Sequence, residues 1–139
     1  MFATAARTSV YQRQAGAYNV VQVSTGVGGA SAHGLIGMLY DGLLESLAQA
    51  RGAIRSKNIE AKGRAVRRAL RIVDEGLRAG LNIEDGGQLA AGLNDLYLYI
   101  SLRLTHANLH NDEKALDECV RLVEPLRSAW AQIADQAPV

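Results

Sequence analysis

Residues 36–54 read IGMLYDGLLESLAQARGAI, and this stretch decides the fold class of the chain. Its apolar side chains recur at steps of three and four residues, which places them on one face of an α-helix. That face comprises Ile36, Leu39, Leu43, Leu47, Ala50 and Ile54. Ser31 precedes the pattern and is a favourable N-cap residue. The stretch therefore predicts a long amphipathic helix that starts directly after Ser31.

Three further segments repeat this helical spacing. The second follows Asn58, another favourable N-cap residue, and carries Ile59, Val66, Leu70, Val73, Leu77 and Leu81. The third follows a break at Gly86-Gly87 and carries Leu89, Leu93, Leu96, Ile100, Leu104 and Ala107. The fourth carries Leu116, Val120, Val123, Leu126, Trp130 and Ile133. No stretch alternates apolar and polar residues for long enough to predict a strand.

The connections between these segments are short, which determines how they pack. Asn111 and Asp112 are both candidates for the N-cap of the fourth helix, and Pro125 predicts a kink or a tightened turn within it. Four helices of about 20 residues with short connections pack best as an antiparallel up-down bundle. We therefore predict an all-α fold, with a four-helix bundle that spans residues 31–135.

Residues 1–30 differ from the rest of the chain. Glycine, serine and threonine cluster just before the first helix, at Ser24, Thr25, Gly26, Gly28 and Gly29. Ordering such a composition costs much backbone entropy. We predict that residues 1–30 form a flexible N-terminal arm.

Composition indicates an ordinary globular protein of the cytoplasm. Hydrophobic residues make up 48% of the chain, and the formal net charge is +1. The single cysteine, Cys119, cannot form an internal disulfide and suits a reducing compartment. Residues 1–10 lack the apolar region of a secretory signal, and no apolar run approaches the length of a membrane span. We expect a cytoplasmic location without membrane insertion.

No motif for catalysis or for a cofactor is present. The chain lacks a Gly-x-Gly-x-x-Gly sequence, a Walker sequence and the Glu-x-x-His pairs of di-iron bundles. His106 and His110 share one helix face as two metal ligands would, but no third ligand has suitable spacing. Their place at a helix C-terminus explains them, because partial positive charge is favourable there. His33 fits a capping or partner-facing role. We predict no enzyme, no metal and no cofactor.

A basic run marks the second helix. Its arginines face away from the apolar stripe, as on a solvated outer face, and they are Arg64, Arg67, Arg68, Arg71 and Arg78. Clustered arginine can bind phosphates, but no aromatic residue is interleaved with these arginines and the sequence pI is only 7.9. An acidic protein partner is therefore a better interpretation of this face than nucleic acid.

The third helix carries apolar residues on a second face. Leu98, Leu102 and Leu109 lie opposite its core stripe, with Ala91 near them. Such a stripe is covered by another layer or is a set of singly exposed leucines, which need no explanation. The covering layer would be the N-terminal arm, a second subunit in a homodimer or a bound peptide. The helix glycines Gly76, Gly80 and Gly92 also fit close approach of another backbone, within the bundle or outside it.

With catalysis disfavoured, the sequence indicates a binding role. Several short stretches also resemble the flagellar secretion chaperones, the flagellin-specific export chaperone family. The likeness spans about residues 17–133 and rests on the order and spacing of its pieces. They are Met38-Leu39-Tyr40-Asp41-Gly42, Ile72-Val73-Asp74-Glu75-Gly76-Leu77, Ala79-Gly80-Leu81, Gly86-Gly87, Leu93, Leu96-Tyr97, Tyr99, Ala107-Asn108-Leu109, Asn111-Asp112 and Trp130.

The resemblance implies a concrete function. Members of this family bind the disordered C-terminal segment of flagellin in the cytoplasm, block premature polymerisation and deliver it to the flagellar type III export gate. The implied flagellin-binding residues are Leu39, Tyr40, Leu43, Leu77, Leu93, Leu96, Tyr97, Ile100 and Asn108. Tyr18 and Val21, after Ala17, match the family's pattern for an arm that docks at the gate. A general helical adaptor for another secreted or regulatory protein is the alternative.

The chain also departs from that family's pattern. Ala32 stands where relatives usually have proline, between Ser31 and His33. Leu98 and Leu102 occupy positions that are usually polar or charged in relatives.

Overall fold

The first helix begins where the sequence places it. In the computed structural model, which describes residues 31–134, helix α1 spans Ala32–Arg55. The hydroxyl of Ser31 accepts a hydrogen bond from the backbone N–H of Gly34 at 3.0 Å. This satisfies one of the donors that a helix N-terminus leaves unpaired.

The second helix changes its geometry partway along. Helix α2 spans Ile59–Arg71, and Asn58 caps it by accepting from the N–H of Ala61 at 3.1 Å. It continues as a π-helical segment, Ile72–Arg78, which ends as Ala79 N–H donates to the carbonyl of Asp74. Apolar spacing predicted one unbroken helix here, because it does not distinguish a π-helical turn from an α-helical one.

The third helix starts before the predicted glycine break. Helix α3 spans Ile83–His110, and Asn82 caps it by accepting from the N–H of Asp85 at 3.0 Å. Gly87 interrupts the helical geometry with φ +59° and ψ −138°. This conformation favours glycine, since a side chain would be strained there. The break at Gly86-Gly87 therefore lies inside the element, after one helical turn.

Asn111 and Asp112 connect the third helix to the fourth. Asn111 adopts the left-handed conformation at the end of α3, with φ 52°. Asp112 then caps helix α4, Glu113–Ala134, and accepts from the N–H of Lys114 at 3.0 Å. Helix α4 continues through Pro125 without a break. Pro125 has no backbone N–H to donate to the carbonyl of Arg121. Because both residues are exposed, water can bind that carbonyl instead.

The four helices pack in the order of the chain. Helix α1 contacts α2 and α4, and α3 contacts α4 and the second helix with its π-helical segment, so α1 and α3 lie diagonally. Arg51, near the end of α1, pairs with Glu113 and Asp117 at the start of α4. His33, at the start of α1, contacts Trp130 near the end of α4. The predicted all-α, antiparallel up-down four-helix bundle is confirmed.

The core lies between all four helices. Its largest fully buried side chains are Tyr40, Leu43, Leu47, Val66, Val73, Leu77, Tyr97, Ile100, Leu104, Leu116 and Val123. Within residues 31–134, no helix is long and apolar enough to cross a membrane. The predicted arm, residues 1–30, lies outside the described residues, as does residue 135, the predicted end of the bundle.

Candidate peptide-binding surface

Tyr40, at the centre of the Met38-Leu39-Tyr40-Asp41-Gly42 motif, is a core residue. Its side chain has no exposed surface, and its hydroxyl lies 2.7 Å from the hydroxyl of Tyr97. The bond joins α1 to α3 across the bundle diagonal. The ring of Trp130 packs edge-on against Tyr40, with centroids 6.5 Å apart. A buried hydroxyl pair of this kind fixes how the helices meet, because each group would be costly to bury alone.

The neighbouring Leu39 points toward the second helix. A Cβ atom added at Gly76 would lie only 3.0 Å from Cδ2 of Leu39, so Gly76 leaves room for that leucine. Gly42 does the same for Ile72, whose Cδ1 would lie 3.3 Å from an added Cβ. The close approach predicted at Gly76 is thus explained within the bundle. Both glycines bring α1 near the π-helical segment.

A groove opens beside this contact, between α1 and the second helix. It has a volume of about 680 Å³ and is lined by Leu39, Arg64, Arg67, Arg68, Arg71, Ile72, Glu75 and Gly76. We call it the arginine groove. Leu39, Ile72 and Gly76 supply its apolar part, and the four arginines are exposed. Two of these arginines form ion pairs, Arg68 with Glu45 and Arg71 with Glu75, each with exposed partners. Exposed ion pairs of this kind are weak, so another anion can readily replace the carboxylate that pairs with each arginine.

The start of α1 is held against α4 by contacts between His33 and Trp130. The rings of His33 and Trp130 stack with centroids 4.8 Å apart. The indole Nε1–H of Trp130 donates to the carbonyl of His33 at 2.8 Å, and His33 Nε2 lies 2.6 Å from the carbonyl of Trp130. His33 therefore neither caps α1, which Ser31 does, nor stands free for a partner. Asp41 and Arg127 form an ion pair nearby.

The second apolar face of α3 is exposed. Leu98, Leu102 and Leu109 keep 39%, 69% and 73% of their surface accessible. We call these three residues the leucine stripe. Beside them, the Tyr99 hydroxyl donates to Glu118 at 2.7 Å; that bond lowers the pKa of Glu118 and raises the pKa of Tyr99. The sequence-based assignment of the stripe to the face opposite the core is confirmed.

The nine predicted flagellin-binding residues fall into two groups. Those in the core are Tyr40, Leu43, Leu77, Leu93, Tyr97 and Ile100, each at most 6% exposed. Those that are only partly buried are Leu39, Leu96 and Asn108. Of the nine, Leu39 lines the arginine groove. Tyr18 and Val21 lie outside the described residues. Flagellin contact stays a prediction for all of these residues.

The histidine pair has a local explanation. His106 Nε2 lies 3.1 Å from Oδ2 of Asp112, the N-cap of α4, and the rings of His106 and His110 lie 4.6 Å apart. Among residues 31–134 no group of three or more histidine, cysteine or acidic side chains could hold a metal ion.

Sequence reasoning missed the arginine groove. It assigned Arg64, Arg67, Arg68 and Arg71 to a solvated face, and they are indeed exposed. It did not place Leu39 and Ile72 among them. The available signal was Gly76, because a glycine within a helix predicts close approach, but the sequence did not name the approaching side chain.

The fold and its exposed apolar surfaces define a helical binding protein, and comparison with known proteins supplies the family. A family model described as "Flagellar protein FliS" matches residues 14–137. The flagellar secretion chaperone FliS of Salmonella typhimurium is 43% identical over 121 residues, which cover 87% of this chain and 90% of the relative. The chaperone FliSB of Pseudomonas aeruginosa is 42% identical over 117 residues, covering 84% and 92%. FliS of Vibrio cholerae is 38% identical over 117 residues, covering 84% and 85%.

The chain belongs to the FliS family of flagellar secretion chaperones. The predicted family is confirmed. Membership implies a non-enzymatic role in flagellar export, exercised on a partner.

Proposed function

We propose that this protein binds the C-terminal segment of flagellin in the cytoplasm, prevents its premature polymerisation and delivers it to the flagellar export gate. Family membership supports the role, and the arginine groove is the observation that carries the binding step. An unfolded segment with an apolar face would self-associate if left bare. Covering that face on a folded surface prevents this.

The chemistry of the groove suits such a segment. Leu39 and Ile72 offer an apolar floor, and the exposed guanidinium groups offer charge-assisted hydrogen bonds to carboxylates. A peptide with one apolar face and flanking acidic residues complements both. The groove is open, so contacts are broad and individually modest. This permits release without a nucleotide, since the entropy of ordering the peptide offsets part of the binding energy.

The buried members of the predicted set act differently in this proposal. Tyr40 and Tyr97 hold α1 against α3, and Leu39 packs at Gly76 of the second helix. Leu39 itself touches the cargo. Tyr18 and Val21 dock at the export gate.

Isothermal titration calorimetry with a flagellin C-terminal peptide tests the binding step. We expect micromolar or tighter binding by the unaltered chain. The variant Arg67→Glu reverses one charge on the groove, and we expect it to weaken binding by at least about tenfold, roughly 1.4 kcal/mol. Arg121→Glu, on the exposed face of α4, is the matched control and leaves affinity unchanged.

Absence of binding at micromolar concentrations would refute the proposal and favour a helical adaptor for a different partner. Equal weakening by Arg121→Glu would reject the groove as the site, since the effect would then follow net charge alone.

Docking at the export gate is tested separately: we expect Tyr18→Ala to reduce flagellin export more than flagellin binding. Equal loss of both would argue against docking at the gate.

A further inference from the structure

A pocket of about 400 Å³ lies at the turn between α1 and α2. Its polar lining includes two lysines, Lys57 and Lys62, together with Asn111 at the end of α3. Ile54 and Ile59 supply apolar lining, and Ile59 is 76% exposed. Among the residues that the structure describes, no aspartate or glutamate lines it. We call it the lysine pocket, and it offers positive charge beside apolar surface.

Lys62 is a buried cation with neutral partners. Only 8% of its surface is exposed. Its Nζ donates to the carbonyl of Asn108 at 2.9 Å and to Oδ1 of Asn111 at 2.6 Å. These bonds tie α2 to the last turn of α3, where carbonyls lack helical partners. Neither acceptor is charged, and an ammonium group has three N–H donors. Buried lysines are usually paired, because a buried charge without a counter-charge is costly.

The four helices do not supply a carboxylate for this pocket. Among the residues that the structure describes, neither Lys57 nor Lys62 forms an ion pair. The acidic residue beside the pocket in the sequence is Asp112, and both of its oxygens are engaged. One accepts from the N–H of Lys114 at 3.0 Å, and the other lies 3.1 Å from His106 Nε2. The positive charge of the pocket therefore has no partner within the bundle.

The rest of the chain is no better source of a carboxylate. Residues 1–30 contain no aspartate or glutamate. Asp135 directly follows Ala134, which ends α4 at the opposite end of the bundle from this turn. A carboxylate that fits the pocket comes from another molecule. The C-terminal carboxylate of a peptide is separated from the last side chain by one carbon atom. An apolar last residue thus presents an anion beside apolar surface, which matches lysines beside isoleucines.

The lysine pocket continues the arginine groove. A depression of about 440 Å³ along α1 and α2 shares Arg64 and Arg68 with the arginine groove and Ala53 with the lysine pocket. Leu39 in the groove and Ile54 in the pocket are about 22 Å apart along α1, at about 1.5 Å per residue. About seven extended residues cover that distance at roughly 3.3 Å each. A peptide whose apolar face occupies the groove can therefore reach the pocket with its end.

We propose that the lysine pocket binds the C-terminal carboxylate of the flagellin segment and so sets the direction in which the segment lies along α1 and α2. This inference rests on the proposed function. The ammonium groups of Lys57 and Lys62 donate to the carboxylate, and such charge-assisted bonds are the stronger kind. Ile54 and Ile59 contact the last side chains of the segment. The residues that precede them lie in the arginine groove.

Calorimetry on the full chain with three peptides tests the pocket. The first is a flagellin C-terminal peptide with a free carboxylate, the second is the same peptide with a C-terminal amide, and the third is the free acid extended by two glycines. We expect the second and third to bind at least about tenfold more weakly than the first, because one lacks the anion and the other moves it out of the pocket. The extended peptide keeps its net charge, so it separates binding in the pocket from general attraction to a basic surface.

A lysine variant locates the effect. Lys57 has φ 57°, a left-handed conformation that asparagine adopts readily, so Lys57→Asn removes the charge without straining the turn. We expect the ratio of free-acid to amide affinity to fall from about tenfold to about threefold or less. Lys114→Gln is the matched control, since Lys114 is also exposed and lies at the same end of the bundle, in the first turn of α4. It leaves the ratio unchanged. Lys62 is a poorer target because its bonds also hold α2 to α3.

Three results would each overturn the inference while the peptide still binds and the proposed function stands. One is equal affinity for the free acid and the amide. Another is full affinity for the extended peptide, since net charge alone would then act. The last is an unchanged ratio in Lys57→Asn, with circular dichroism establishing that the variant is folded. If none of the three peptides binds, the proposed function fails, and this inference fails with it.

Discussion

The two faces of α3 carry the same kinds of side chain in opposite surroundings. Its inner face presents Leu93, Tyr97, Ile100 and Leu104, all nearly or completely buried. Its outer face presents Leu98, Tyr99 and Leu102, all exposed. Inside, the hydrophobic free energy is already used to hold the bundle together. Outside, it remains available for association, since burying apolar surface is favourable whichever chain covers it. A helix that is apolar on two faces thus both belongs to a core and offers a surface.

The test with the largest expected effect on stability replaces one leucine on each face of α3. Leu104→Ala leaves a cavity between the helices, and we expect it to lower the free energy of unfolding by about 2–5 kcal/mol. Leu102→Ala removes an exposed side chain only two residues away, and we expect a change within about 0.5 kcal/mol. Urea denaturation in dilute solution measures both. Similar losses for the two variants would show that the outer face is covered even in dilute protein.

The second test measures how stability depends on pH through Cys119, which is buried against the inner face of α3. Cys119 on α4 is buried with its Sγ 3.9 Å from the carbonyl of Ile100, and burial raises the pKa of the thiol to about 12. In the unfolded chain the thiol has a pKa of about 8.5. The folded chain therefore binds more protons above that pH, and stability falls as pH rises toward 12.

Relative to Cys119→Ala, we expect a loss of about 1.4 kcal/mol per pH unit above about pH 8.5. Denaturation midpoints of both proteins between pH 7 and 10 measure it, and parallel curves would contradict the burial of Cys119.

The smallest test compares two tyrosines of α3. Tyr97→Phe removes the buried hydrogen bond to the hydroxyl of Tyr40, and we expect a loss of about 1 kcal/mol. Tyr99→Phe removes an exposed hydrogen bond to Glu118, and we expect a smaller effect because water replaces it. Thermal unfolding ranks the two. A double-mutant cycle with Tyr40→Phe isolates the coupling across the bundle, and a coupling near zero would mean that this pair does not set the helix positions.

How far prediction reached differs between these regions. The core stripes were readable because helical periodicity records which side chains share a face. Ser31 and Asn58 were readable as caps because their side chains act within one turn of their own positions. For α4 the sequence left Asn111 and Asp112 open. Backbone conformation decided between them, with Asn111 ending α3 in the left-handed region and Asp112 capping α4.

The candidate site was less readable. Of the residues that the family resemblance implied, Leu39 lines the arginine groove, while Tyr40 and Tyr97 bond to each other in the core. A motif names positions without saying whether each position supports the surface or forms it. Leu39, Ile72 and Gly76 come from two helices, and no local pattern records that they meet. The π-helical segment was also missed, although it contains Gly76, the residue that leaves room for Leu39.

The sequence by itself determined the four helical segments, the caps of the first two, the antiparallel bundle and the existence of a second apolar face on α3. These follow from spacing along one chain and from short connections. Only the tertiary structure decided that Tyr40 meets Tyr97, that His33 stacks on Trp130, and that four arginines surround Leu39 beside Gly76. The physical reason is distance: periodicity acts over one helical turn, whereas a groove depends on how two helices approach. That approach is set by close packing of side chains far apart in the chain.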